Sequence, residues 1–236
     1  MYTYQSSNRP LVRSRLTRPS WISRNCRQLA ILCRDASPSM SGQKAKDASQ
    51  ATFQLVRELA KPTNKGGFWG SVIDFAGSAT VKHDLMSAVD MAHNLRPIST
   101  SLFSGGTNIT AGLELAHQLC QKIPSDGQTD IHWLRPVVIL FSDGCHNRGP
   151  KPDMAAKSLR KSADVVTVAY GSDADIKLLR SLATSPQHHY RCKDGTDLRQ
   201  FFAAVGASMT ASLASGVDAT DALGQIQQIE SGRALQ

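Results

Sequence analysis

Three oxygen-bearing side chains recur at every second position in the stretch CRDASPSMSG (33–42): Asp35, Ser37 and Ser39. Alone, such a stretch signals a turn or a helix cap, where Asp and Ser are common. Two other stretches add oxygens of the same kind. SGGTNIT (104–110) carries Thr107 on a glycine-rich loop entering a helical pattern, and VVILFSDGCHN (137–147) carries Asp143 just beyond an apolar run. The combined set is two carboxylates and three hydroxyls, with no imidazole or thiolate. An all-oxygen set suits a hard cation, so Mg²⁺ is the expected ion, with Mn²⁺ and Ca²⁺ compatible. So few anionic oxygens leave the ion electrophilic. Magnesium takes about six ligands and normally keeps several waters, one of which an Asp or Glu of another protein can replace.

The elements that must bring these segments together follow from the hydrophobic pattern. LAILC (29–33) reads as a buried strand, and apolar positions then recur at helical spacing from Ala45 to Leu59, stopped by Pro62. WGSVIDF (69–75) and the alternating ATVKHD (79–84) flank the turn AGS, which makes them an antiparallel hairpin with an edge strand. A second helix runs from about Asn108 to Ile123. VVILF (137–141), VVTVAY (165–170) and the short HHYRC (188–192) are further strands, and a last helix covers 198–213. The alternation predicts a doubly wound, Rossmann-like α/β fold with a mostly parallel six-stranded sheet, one antiparallel edge strand and helices on both faces. In the strand order 3-2-1-4-5-6, the strands preceding Asp35 and Asp143 are neighbours at the switch point, where open α/β sheets bind ligands.

With those elements in place, DASPSM, SGGTNI and FSDG resemble the three segments of the metal-ion-dependent adhesion site (MIDAS) of von Willebrand factor A (VWA) domains. The family pattern is D-x-S-x-S, a loop Thr, and an Asp after a central strand. The resemblance implies that Ser37, Ser39 and Thr107 are hydroxyl ligands, and that Asp35 and Asp143 hold the metal directly or through waters. It spans roughly residues 27–213, and its specificity comes from three separated segments agreeing with the strand pattern. Two positions depart from the family: Pro38 stands where glycine is common between the serines, and Arg34 precedes the Asp where an apolar residue is usual. The chain is similar to the bacterial TerY-like group, whose members often accompany a protein kinase and a PPM-type phosphatase in stress-response or phage-defence clusters. The implied function is an adaptor that binds a partner carboxylate through its metal.

Rival chemistries fit less well. A haloacid-dehalogenase-type, Mg²⁺-dependent phosphatase resembles D-x-D, whose second Asp is the general acid, but position 37 is serine and has no proton to give near neutral pH. There is no G-x-S-x-G elbow for a Ser hydrolase, and GGTNIT lacks the ending of a phosphate-binding loop. Cys145–His146 and His188–His189 with Cys192 lack the tight spacing of a zinc site and follow strands separated by a third. No catalytic residue is expected.

The net charge of +8 is concentrated at the start of the chain, where residues 1–28 carry Arg9, Arg13, Arg15, Arg18, Arg24 and Arg27 and no acid. Such an arm can contact nucleic acid or an acidic partner, although Tyr2, Tyr4 and Trp21 give little stacking support. Three segments are therefore expected: a basic arm (1–28), a VWA domain (29–214) and a flexible tail (215–236). Lys44 and Lys46 read as the solvated face of the first helix. The odd, widely spaced set of five cysteines reads as reduced, and the expected location is cytoplasmic, with no membrane span.

Overall fold

The computed structural model describes residues 25–100, 105–124, 130–143 and 145–226. Six strands form one sheet in the order β3-β2-β1-β4-β5-β6. They are β1 (Cys26–Asp35), β2 (Phe68–Phe75), β3 (Ala79–Ser87), β4 (His132–Ser142), β5 (Asp164–Tyr170) and β6 (His189–Cys192). All neighbouring pairs are parallel except β2 with β3, so the expected hairpin and switch point are both present.

Burial explains the central strands. Leu29, Ile31 and Cys33 of β1 face one core, and Ala30 and Leu32 face the other. Helices α1 (Gln43–Leu59), α2 (Ala88–Asn94), α6 (Gly195–Ser215) and α7 (Thr220–Gly224) supply one face of the sheet, with Leu55, Met91, Phe201, Val205 and Leu223 in its core. Helices α3 (Ile109–Cys120), α4 (Asp153–Leu159) and α5 (Ile176–Leu182) cover the other face through Leu113, Leu159 and Leu179. A strand buried on both sides must be apolar at every position, which is why LAIL and VVIL read so clearly. Among the described residues no helix is long and apolar enough to cross a membrane.

Several boundaries differ from the sequence expectation. β1 begins at Cys26, so the last three residues assigned to the basic arm belong to the sheet. Gln28 is fully buried and donates to the Arg135 carbonyl at 3.1 Å, and Arg27 lies over the Trp69 ring, 5.4 Å from its centroid. Asn25 is also described, its carbonyl accepting from the His132 N–H at 2.9 Å, and arm residues 1–24 lie outside the described residues. β4 starts five residues before VVILF because a register shift between Gln28 and Ala30 absorbs Pro136, which has no N–H for the ladder.

The tail expected to be flexible (215–236) is described only as far as residue 226. Residues 216–226 pack against the domain, with Ala219 and Leu223 fully buried. Asp218 accepts from the Arg135 N–H at 2.7 Å, and Thr220 donates to Asp164 at 2.5 Å. These polar residues are held by partners on β4 and β5, of which Asp164 is buried. Residues 227–236 lie outside the described residues.

Candidate metal centre

The site is built at the carboxyl ends of β1 and β4. Asp35 ends β1 and Asp143 immediately follows Ser142, the last residue of β4; both carboxylates are fully buried. Pro38 opens a 3-10 turn (Pro38–Met40) at a position whose N–H would have no helical partner. The Met40 N–H closes that turn onto the Ser37 carbonyl at 3.0 Å. Replacing the usual glycine with proline therefore keeps the turn, and Met40 locks it into the core at 0 % exposure.

One hydrogen-bonded chain links four of the five expected residues. Ser142 Oγ donates to Asp35 Oδ2 at 2.6 Å, and the Ser37 N–H donates to Asp35 Oδ1 at 2.8 Å. Ser37 Oγ and Ser39 Oγ lie 3.0 Å apart, and Ser39 Oγ donates to Asp143 Oδ1 at 2.8 Å. The chain ends on a cation: Lys44 Nζ is 2.5 Å from Asp143 Oδ2 and 3.2 Å from Asp173 Oδ1.

Thr107 sits beside this chain rather than in it. It is buried, its N–H donates to Asn147 Oδ1 at 2.8 Å, and its carbonyl accepts from the Asn147 N–H at 3.1 Å. Among the described residues no hydrogen bond joins its hydroxyl to the other four. The helix cap is the next residue: Asn108 accepts from the Ala111 N–H at 3.1 Å, which leaves Thr107 free of capping duty. Gly105 and Gly106 adopt φ of 72° and 113°, and a Cβ on Gly106 would stand 2.5 Å from Asn147 Oδ1. Only glycine lets this loop lie against the loop that follows Asp143.

Three contributors escaped the sequence reading. Ser142 positions Asp35, and Asn147 anchors the Thr107 loop; both lie inside the stretch FSDGCHN, where their polarity was the available signal. Lys44 is the third, and it corrects the expectation of a solvated helix face: its side chain is only 30 % exposed and is spent on Asp143 and Asp173. Arg34, the unusual residue before Asp35, is buried and paired to Asp74 at 2.7 Å, and it also donates to the Arg96 carbonyl at 3.0 Å.

The electrostatics are those of a cation site. Burial pushes the Asp35 carboxyl above its ordinary pKa; the hydrogen bonds from Ser142 and Ser37 pull it down, and the neighbouring Asp143 charge raises it again. Burial alone would lower the Lys44 pKa, but its hydrogen bonds and charge pairing with Asp143, and then with Asp173, raise it overall. Two buried carboxylates at one point need positive charge nearby, and the ammonium fills that need. The donors are oxygens throughout, which fits a hard divalent cation.

The von Willebrand factor type A domain family matches residues 31–204, and the chain belongs to that family. No curated protein matches it. Among solved structures, it is similar to proximal thread matrix protein 1 from the mussel byssus, with 19% identity over 80% of this chain and 48% of that one, at a TM-score of 0.62. A second structure of that mussel protein, with a zinc-occupied MIDAS motif, aligns at 18% identity over the same shares of the two chains, with a TM-score of 0.63. BatB from Bacteroides thetaiotaomicron aligns at 20% identity over 79% of this chain and 99% of its own, with a TM-score of 0.60. The chain spans about half the length of the mussel protein. These likenesses establish the fold; VWA domains are typically metal-dependent protein-interaction modules.

Proposed function

We propose that the chain is a metal-dependent protein-interaction module whose ion is held by Ser37, Ser39 and Thr107 directly, and by Asp35 and Asp143 directly or through water. Mg²⁺ is the ion its oxygen donors favour, with Mn²⁺ and Ca²⁺ compatible. The partner supplies an Asp or Glu that completes the ion's coordination. The observation that carries this reading is the unbroken chain from Asp35 through Ser37 and Ser39 to Asp143, ending on a cationic group. The bound ion would supply a Lewis-acidic anchor for the partner's carboxylate; the protein's part is to hold the oxygens in place.

We read it as a binding module rather than an enzyme, because a serine stands at position 37 where a phosphatase of this geometry needs an acid. The finer reading is a TerY-like adaptor in the cytoplasm, working beside a kinase or a PPM-type phosphatase. Support for a reducing compartment comes from the odd number and wide spacing of the five cysteines, with no C-x-x-C pair among them.

Calorimetric titration of MgCl₂ into chelator-stripped protein tests the core of the proposal. Binding that disappears in Asp143→Ala and Thr107→Ala is the expected result. Absence of Mg²⁺, Mn²⁺ and Ca²⁺ binding at millimolar concentrations would overturn it.

A further inference from the structure

We propose that Lys44 is a built-in cation that holds Asp143 in the metal-free domain and passes to Asp173 when a divalent ion loads. This rests on the metal-site reading above. The ammonium sits 2.5 Å from Asp143 Oδ2 and 3.2–3.3 Å from the two oxygens of Asp173. Its two acceptors differ in kind. The Asp143 side chain is 0 % exposed and shares its other oxygen with Ser39, whereas the Asp173 side chain is 61 % exposed and belongs to the loop after β5.

A divalent ion arriving at Asp143 meets this ammonium at close range, and like charges in a buried site repel strongly. Lys44 lies in the first turn of α1, just after the Ser37–Ser39 turn, so its backbone is fixed while its four-carbon stem is free to swing. The receiving loop is shaped for the transfer. Gly171 adopts φ of 88°, and a Cβ there would stand 3.0 Å from Asp173 Oδ1 and 3.5 Å from Lys44 Nζ. Glycine at that point keeps open the space between the ammonium and its second acceptor.

Two consequences follow. Metal-free protein is not left with a bare pair of buried carboxylates, so the domain folds without its ion. Divalent binding must displace or crowd a positive charge, so affinity for the ion alone is weakened. A partner carboxylate that brings a further negative charge offsets that penalty, which makes ion and partner bind cooperatively.

The test uses the full chain, stripped of metal, with MgCl₂ as the probe. Lys44→Met keeps the apolar stem and removes the charge. It should bind Mg²⁺ at least about tenfold more tightly by calorimetry and melt lower than the parent in EDTA. Asp173→Asn should weaken Mg²⁺ binding about threefold in the parent and have no effect in the Lys44→Met background, since a general field effect would persist there. Equal or weaker Mg²⁺ binding by Lys44→Met overturns the inference while leaving the metal site standing. Should Lys44→Met fail to fold in EDTA, Asp173→Asn alone decides, and unchanged affinity overturns the inference. If parent and variants alike show neither heat nor a Mg²⁺-dependent shift in melting, both the inference and the metal site fall.

Discussion

Two buried carboxylates at opposite ends of the sheet are held in contrasting ways. At the foot, Asp164 begins β5, and its side chain is 1 % exposed. It takes Arg135 Nε at 3.0 Å on one oxygen and the Thr220 hydroxyl at 2.5 Å on the other. Arg135 is itself clamped by the carbonyls of Arg160 and Ala163 at 2.6 and 3.0 Å. Thr220 sits on α7 and Arg135 on β4, so this one acid ties the two together. At the other end, Asp143 is equally buried but is held by one small hydroxyl and one long, part-exposed lysine. The same side chain is a rivet in one place and an open socket in the other. What separates them is whether the donors are able to leave, not how deeply the acid is buried.

The largest stability effect should come from pulling the rivet. Asp164→Ala strands a clamped guanidinium and the Thr220 hydroxyl, and breaking this half-buried pair should cost about 2 kcal/mol. Urea denaturation should show that loss together with earlier unfolding of α7, while Mg²⁺ binding stays at the parent value. A loss under about 1 kcal/mol would erase the distinction between the two ends.

A second fixed polar group gives a pH-dependent test. His189 on β6 meets Thr167 Oγ1 at 2.9 Å. Burial, then the charges of Arg180 and Arg191, lower its pKa from 6.5 to about 4. Between those values the folded protein binds fewer protons than the unfolded chain, so stability is present above pH 6.5 and is lost as pH falls toward 4. After allowance for solvent screening the loss is about 2 kcal/mol. Denaturant titrations at pH 7 and pH 4.5 should show it in the parent and show it reduced in His189→Gln.

Emptying the socket should do less to the fold. Asp143→Ala removes an acceptor from Ser39, which is exposed, and from Lys44, which retains Asp173. Its stability cost should stay near 1 kcal/mol, with Mg²⁺ binding lost by calorimetry. A cost like that of Asp164→Ala would mean that the site end is structural too.

The smallest effects separate Thr107 from its neighbour. Asn108→Ala removes a cap and should cost about 1 kcal/mol while sparing Mg²⁺ binding. Thr107→Ala should cost no more than about 1 kcal/mol, the loss of a buried methyl with no hydrogen bond broken, yet it should abolish Mg²⁺ binding. Reversal of that pair in thermal melts and titrations would return Thr107 to a structural role.

The strand order was assumed from the doubly wound class and is the one observed. The central strands and the segments carrying Asp35 and Asp143 were legible because strands in the middle of a parallel sheet are apolar on both faces and place polar residues just past their ends. The seven-residue helices α2, α4 and α5 were not, since two turns carry too little periodicity to stand out. Pro136 hid the first half of β4, because a proline argues against a central strand unless a bulge admits it. Lys44 was misread for a different reason. A lysine in a first helical turn normally points to water, and its acceptor lies 99 residues away in sequence. The packed segment at 216–226 carried the composition of a loop, and only its partners on β4 and β5 reveal why Asp218 and Thr220 are there.

The two rims of the sheet, β3 and β6, bear on how copies of this chain meet one another. β3 turns Thr80, Lys82 and Asp84 outward and shifts register against β2 on both sides of Val72. β6 is four residues long and exposes Arg191. A flat, apolar, uninterrupted rim is what recruits a strand from another molecule, and charge, bulging and brevity each spoil it. Both rims are therefore poor templates for sheet extension, so crowding of this domain should not be relieved by edge-to-edge polymerisation.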